Sequence, residues 1–207
     1  LELEQALRGG DIDFAVHSLK DLPYEEPDAL AVTVVPKRED PRDALIGSKN
    51  PKIIGTGSKR RVAQLNHLYP QAKSKGIRGN IDTRLRKMDE GGYEAIVLAM
   101  AGLVRANMLR ADVIPLAVDD MVPAAGQGAL AIQHRVNDER VLKYLRLIHD
   151  SDTYAAVSAE RRVLAHLGGG CHAPVGVHMY QQDGQFKGHL FDGEKVIKIT
   201  GLSYDNV

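Results

Sequence analysis

Tyr93-Glu94-Ala95-Ile96-Val97-Leu98-Ala99-Met100-Ala101-Gly102-Leu103-Val104-Arg105 is the stretch whose pattern decides the fold class. Tyr93 to Ala99 reads as a strand, strongly apolar over Ala95 to Ala99, and it passes directly into a helical pattern ending at Arg105. The same step occurs twice upstream. A strand predicted to end at Ile77-Arg78 turns at Gly79-Asn80 into a helix with Ile81, Leu85 and Met88 on one face. Arg84 and Arg86 lie on that helix too. Before it, a strand end at Lys52 to Gly55 leads through Thr56-Gly57-Ser58 into a helix with Val62, Leu65 and Leu68 on one face. Ser58 is the expected cap of that helix. Alternation of this kind from Asp43 to about Val122 predicts a βαβ, α/β unit.

Charge placement suggests what this unit holds. Lys59, Arg60 and Arg61 occupy the first turn of a helix, where each cation opposes the helix dipole by ~0.3–1 kcal/mol. An anion bound at that turn accounts for them. A solvated basic face accounts for them equally well from this segment alone. Three successive strand-to-helix junctions nevertheless aim arginine at one rim. In a chain whose 27 Lys and Arg are balanced by 27 Asp and Glu, a local arginine rim suits a small polycarboxylate or phosphate, not nucleic acid.

Outward from this unit, Leu1 to Leu7 is helical in pattern and stops at Gly9-Gly10, a C-cap signal. The chain lacks an initiator methionine and is expected to begin inside a longer one. Ile12 to Val16 reads as a strand entering His17-Ser18-Leu19-Lys20-Asp21-Leu22-Pro23. Ligands of open α/β sheets bind beyond strand carboxyl ends, so Lys20 and Asp21 stand where chemistry is expected. An ordinary solvated turn is the alternative. Ala31 to Val35 is a further strand, and Pro36 to Arg42 is a charged, proline-bounded crossing. Pro123-Ala124-Ala125-Gly126-Gln127-Gly128 predicts a hinge or tight turn before a strand over Ala129 to Ile132. A helix over Asp138 to His149 turns Val141, Leu142, Leu145 and Ile148 inward. Another, capped by Ser151 or Asp152, presents Tyr154, Val157, Leu164 and Leu167 and stops at Gly168. Then comes Gly168-Gly169-Gly170-Cys171-His172-Ala173-Pro174, a shaped loop around the single cysteine. His172 is its only near neighbour able to bind metal, so no metal site is expected. Asp183-Gly184 and Asp192-Gly193 are hairpin signals, predicting a small antiparallel sheet at the end.

One cysteine leaves no intrachain disulfide and fits a reducing compartment. No apolar run approaches about 18 residues and no signal peptide is seen. A soluble cytoplasmic protein without membrane or nucleic-acid partners is expected.

Taken together, the motifs resemble the porphobilinogen deaminase (hydroxymethylbilane synthase) family. The match runs through His17 to Pro23, Arg38-Glu39-Asp40-Pro41-Arg42-Asp43-Ala44, and Gly55-Thr56-Gly57-Ser58-Lys59-Arg60-Arg61. It continues through Arg78-Gly79-Asn80-Ile81-Asp82-Thr83-Arg84-Leu85, Leu98 to Leu103, Pro123 to Ala129 and the cysteine loop. Family departures are Gly57 in place of a second serine, Lys59 in place of an apolar residue, and His172-Ala173 after the cysteine. The resemblance implies two α/β domains like those of periplasmic binding proteins plus a small α+β C-terminal domain with an antiparallel sheet. Residues 1–36 and 129–148 would form part of domain 1, 37–128 domain 2, and 151–207 domain 3. It implies a transferase of tetrapyrrole (haem) biosynthesis that joins four porphobilinogen units, with loss of ammonia, into hydroxymethylbilane. The chain would grow on a dipyrromethane cofactor held by a thioether to Cys171. Asp21 would be catalytic, with Lys20 beside it. Thr56, Ser58, Arg60, Arg61, Arg78, Gly79 and Asn80 would bind cofactor, and Arg84, Arg105 and Gln127 substrate. A monomer is expected. The competing reading is a non-catalytic periplasmic-type binding protein for a small polycarboxylate.

Overall fold

The computed structural model describes residues 2–24, 27–168 and 174–202. Alternate residues of the apolar run face opposite ways. Ile96 and Leu98 pack with Ala44, Ile46, Leu85, Met88 and Leu103, whereas Ala95 and Val97 pack with Leu45, Ile54, Leu65 and Met121. A strand covered on both faces is apolar throughout, so its sequence shows no alternation.

That strand is β6 (Ala95–Ala99), in a five-stranded sheet with β3 (Asp43–Gly47), β4 (Ile53–Gly55), β5 (Lys73–Lys75) and β7 (Val113–Pro115). The order is β5-β4-β6-β3-β7. β4 runs parallel to both β5 and β6, while β3 is antiparallel to β6 and β7. The sheet is therefore mixed. Its βαβ units are the β4-α2-β5 and β5-α3-β6 crossings, through α2 (Lys59–Leu68) and α3 (Ile81–Lys87). The Ser58 hydroxyl accepts from Arg61 N and caps α2 as expected. The strand before Arg78 ends earlier than expected, at Lys75. α4 (Met100–Arg105) follows β6 without a linker.

A second sheet is discontinuous in sequence. β1 (Phe14–Ser18) follows α1 (Glu2–Gly9), β2 (Leu30–Val34) comes next, and the central strand, β8 (Leu130–Arg135), returns only after the five-stranded sheet. All pairings in it are antiparallel. The two crossings between the sheets touch where Glu39 N donates to Gly128 O at 3.1 Å. Gly128 has φ 88°, and a Cβ there would stand 2.5 Å from Glu39 O. Only glycine permits that approach.

α5 (Glu139–Leu145) and α6 (Ser151–His166) follow, then β9 (Gly176–Gln182), β10 (Gln185–Phe191) and β11 (Val196–Leu202) in an antiparallel sheet. Asp183 and Gly184 both have positive φ, as a two-residue hairpin turn requires. Ala155 and Ala159 of α6 pack on Val177, Met179 and Phe186. Two expectations are corrected here. The cap of α6 is Asp150, whose carboxylate accepts from Thr153 N at 2.8 Å, not Ser151 or Asp152. Ile148 is exposed because α5 ends at Leu145 and a 3-10 turn over Arg146–Ile148 changes the helical register. Leu167 likewise lies beyond the end of α6 and is exposed. No described helix is long and apolar enough to cross a membrane.

Candidate active site

β1 ends in a single 3-10 turn, Leu19–Asp21. Leu19 is buried and anchors the turn, so Lys20 is half-buried and Asp21 is exposed toward the α2 side. Two adjoining hollows meet at this turn. The larger, about 440 Å³, is lined by Lys20, Asp21, Ser58, Lys59, Arg60, Arg61, Gln127 and Arg161, with Ala165 and Val175 at one side. The smaller, about 280 Å³, is lined by Lys20, Asp21, Arg61, Gly79, Asn80, Arg84 and Arg105. Lys20, Asp21 and Arg61 border both, which makes them two compartments of one cleft.

The cleft floor is a buried charge web. Asp43, fully buried at the head of β3, accepts on Oδ1 from Arg61 Nε at 3.1 Å, Arg61 Nη2 at 2.7 Å and Gln127 Nε2 at 2.9 Å. Its Oδ2 faces Arg60 Nη2 at 2.8 Å, with no aligned hydrogen bond among the described residues. Arg60 also donates to Val122 O at 2.6 Å and Arg61 to Val97 O at 2.9 Å. Gln127, buried, donates to Pro41 O at 2.8 Å and accepts from Lys20 Nζ at 3.5 Å. Burial alone would raise the Asp43 carboxyl. The two arginines outweigh it and hold Asp43 well below the usual carboxylate range.

Cations exceed anions in the cleft. Burial first, and then the Arg61 charge, push the Lys20 ammonium down to about 8, against partial opposition from Asp43 and Asp21. Burial and the same Arg61 charge also lower Arg84. These groups repel one another and are half-buried, so an anion in the cleft would relieve both effects.

The structure places the remaining residues as follows. Arg60 and Arg61 are buried on the cleft floor, 4% and 7% exposed, not on a solvated rim. Ser58 caps α2 and Asn80 caps α3, its Oδ1 accepting from Thr83 N. Thr56 Oγ1 accepts from Ser58 N. Arg84 donates to Gly79 O at 2.6 Å, and Arg105 to Gly128 O at 2.8 Å. Arg78 and Thr56 do not line the cleft but an adjoining open hollow, with Gly57 and with Lys59, which borders both. Cys171 lies outside the described residues.

Asp43, Arg38, Glu160 and Arg161 are site residues that the motifs alone did not single out. Glu160 is fully buried. It takes the Arg38 fork at 2.6 and 3.1 Å, Gly126 N at 2.7 Å and Met179 N at 2.8 Å. Arg38 further donates to Gln127 O at 2.8 Å. The available signal was position: Thr153, Ala156, Val157 and Glu160 share one helical stripe, and a carboxylate on an apolar stripe needs a buried partner.

A family model described as porphobilinogen deaminase, dipyromethane cofactor binding domain, matches residues 1–143, and one for the C-terminal domain of porphobilinogen deaminase matches residues 154–204. The chain belongs to the porphobilinogen deaminase family. Porphobilinogen deaminase of Exiguobacterium sp. (strain ATCC BAA-1283 / AT1b) is 45% identical over 219 residues, covering 100% of this chain and 72% of that one. The Brevibacillus brevis enzyme of that name is 47% identical, covering 86% and 60%. The Deinococcus radiodurans one is 44% identical, covering 96% and 69%. The chain thus spans 60% to 72% of the length of these curated relatives. Among solved structures, the second substrate binding domain of a putative amino acid ABC transporter from Streptococcus pneumoniae is similar at 12% identity. The TM-score is 0.44, over 79% of this chain and 75% of that one. The Lys20–Asp21 turn and the charge web fall within the residues matched by the first of these models, and Glu160 and Arg161 within those matched by the second. Membership does not favour the non-catalytic binding-protein reading.

Proposed function

We propose that this chain carries the transferase activity of its family, joining four porphobilinogen units with release of ammonia into hydroxymethylbilane, on a dipyrromethane cofactor thioether-linked to Cys171. The carrying observation is the cleft itself, in which cations outnumber carboxylates around one exposed carboxylate, Asp21. A dipyrrole with two carboxylates per ring fits that donor set. Lys20, Arg61, Arg84 and Arg105 line the cleft and would hold ring carboxylates, with Arg60, Ser58, Gly79, Asn80 and Gln127 shaping the walls. Ala165 and Val175, described residues on either side of the cysteine segment, border the larger compartment. When bound, the cofactor supplies the pyrrole carbon at which growth begins and a tether that retains the product. Asp21 stabilises the positive charge that develops on a pyrrole as its ammonia leaves, and takes part in moving the proton lost at each coupling. Lys20 binds a carboxylate beside it. Arg78 and Thr56 would contribute only if the walls of their adjoining hollow move toward the cleft.

The division into 1–36 with 129–148, 37–128 and 151–207 is proposed as three domains, supported by the three separate sheets. A cytoplasmic monomer acting on small molecules completes the reading.

Intact mass tests it. Purified holoprotein is expected to exceed its chain mass by one dipyrromethane unit and to give the dipyrrole colour reaction with acidic aldehyde reagent. Cys171→Ala loses both. Unmodified wild-type mass in material that still turns over porphobilinogen overturns the anchor assignment.

Lys20 gives a pH test with a definite sign. Its pKa is lowered to about 8, first by burial and then by the Arg61 charge, and a bound carboxylate raises it. Porphobilinogen binding is therefore expected to take up protons just above pH 8, and affinity to fall as pH rises through that value. Calorimetry in two buffers of different ionisation enthalpy reads the uptake directly. No uptake at pH 8.5 removes Lys20 from the binding set.

A further inference from the structure

We infer that Arg161 is a positioning residue that holds the Lys20–Asp21 turn against the cleft, an assignment that rests on the catalytic reading of that turn. Arg161 projects from α6, the helix leading to the Cys171 segment. Its guanidinium donates to four backbone carbonyls of the turn and its exit: Leu19 O at 3.4 Å, Leu22 O at 3.3 Å, Pro23 O at 2.5 Å and Tyr24 O at 3.3 Å. It also stands over the Tyr24 ring, 5.7 Å from the centroid.

Four carbonyls converging on one point repel unless a cation gathers them. A planar guanidinium with five N–H donors can reach all four, and a lysine ammonium with three cannot. Among the described residues, the turn's other holds are few: Leu19 is buried and Leu22 packs partly beside it on Val35 and Val157, Lys20 Nζ donates to Gln127 Oε1 at 3.5 Å, and the other backbone bonds are Leu19 N to Ala129 O and Leu22 N to Leu19 O. The anchor itself is fixed, because the preceding residue, Glu160, is locked by the Arg38 fork and by Gly126 and Met179 amides. Consecutive residues of one helix thus register the crossing between sheets and the turn that carries Asp21. The consequence is that Asp21 keeps its place relative to the α6 wall of the cleft, which Arg161, Leu164 and Ala165 line.

The test compares wild type, Arg161→Met and Arg161→Lys in the full-length holoprotein. Misplacing a reacting group by about 1 Å can cost ~10²-fold. Arg161→Met is expected to lower kcat roughly ten- to a hundredfold, with KM within about twofold and cofactor mass unchanged. The alkaline limb of its rate profile moves upward, because a loosened turn lets Lys20 reach solvent and burial is the first cause of its lowered pKa. Arg161→Lys recovers little. Hydrogen exchange of the peptide spanning residues 17–24 accelerates while α6 and β8 keep wild-type protection. Unchanged kcat overturns the assignment. So does raised KM with intact kcat, which makes Arg161 a ligand-binding arginine, or full recovery in Arg161→Lys, which makes it a bulk charge. Exchange that rises throughout the protein reduces it to a general stabiliser. If Arg161→Met does not fold, Arg161→Lys is read by the same criteria. If wild type fails to turn over porphobilinogen, the catalytic reading falls, and the exchange comparison still decides whether Arg161 holds the turn.

Discussion

Asp21→Asn is expected to fold like the wild type, bind porphobilinogen and lose most of its turnover. Asparagine keeps the shape and hydrogen-bond reach of aspartate and removes only the charge. Asp21 is exposed at the end of the 3-10 turn, so the substitution leaves no buried group unpaired and stability changes little. The substrate loses ammonia to leave a cationic pyrrole, and one preorganised charge facing such a centre is typically worth ~10²–10³ in rate. Asp21→Glu retains the charge one methylene away and keeps part of the activity. Thermal melts establish folding, and single-turnover ammonia release separates chemistry from product release. Near-wild-type turnover in folded Asp21→Asn moves the catalytic role to another acid of the cleft.

Asp43→Asn is the substitution expected to cost most in stability. Two buried guanidiniums converge on this carboxylate, and removing one partner of a buried ion pair typically costs ~3–5 kcal/mol. Asparagine still accepts one hydrogen bond but leaves Arg60 and Arg61 repelling each other without a counter-charge. The pH dependence follows from the depressed Asp43 pKa. A carboxyl titrating lower in the folded protein than in the unfolded chain contributes stability above the unfolded value of about 4. That contribution is lost as pH falls through the folded value. The stability gap between wild type and Asp43→Asn should therefore be widest near neutrality and narrow on acidification below pH ~4. Urea unfolding at several pH values measures it. A gap that is small at pH 7 would mean that the arginines are neutralised elsewhere.

How much of this was legible differs from residue to residue. β6 announced itself because both its faces are covered, and α2 because Ser58 caps it, although its buried residues are Arg60, Arg61 and Gln64 as well as Leu65 and Val62 is only half-buried. The Asp183-Gly184 hairpin followed from two residues that accept positive φ. Lys20 and Asp21 were singled out because a strand ends just before them. The orientation of β3 was not readable, since nothing local distinguishes a strand antiparallel to β6 from a parallel one. Ile148 was misplaced because a 3-10 turn shifts the helical register by a fraction of a turn. Asp43 was hidden for a different reason. Its partners Arg61, Arg60 and Gln127 come from distant parts of the chain, and only the closed fold shows that they share one carboxylate. Arg161 is hidden in the same way, because it recognises backbone carbonyls, which leave no mark in a sequence.

The discontinuous sheet has a consequence for how the polypeptide assembles. β1 and β2 find their shared neighbour β8 only after about a hundred intervening residues, a closure that is entropically costly and slow for a free chain. The intervening segment builds its own five-stranded sheet from contacts within itself. Once it has folded, the contact between Glu39 N and Gly128 O ties its two ends together. The long-range pairing of β8 between β1 and β2 then becomes a short-range one. Assembly is thereby ordered from the inside outward, with the inserted sheet serving as the clamp that delivers β8 to its place.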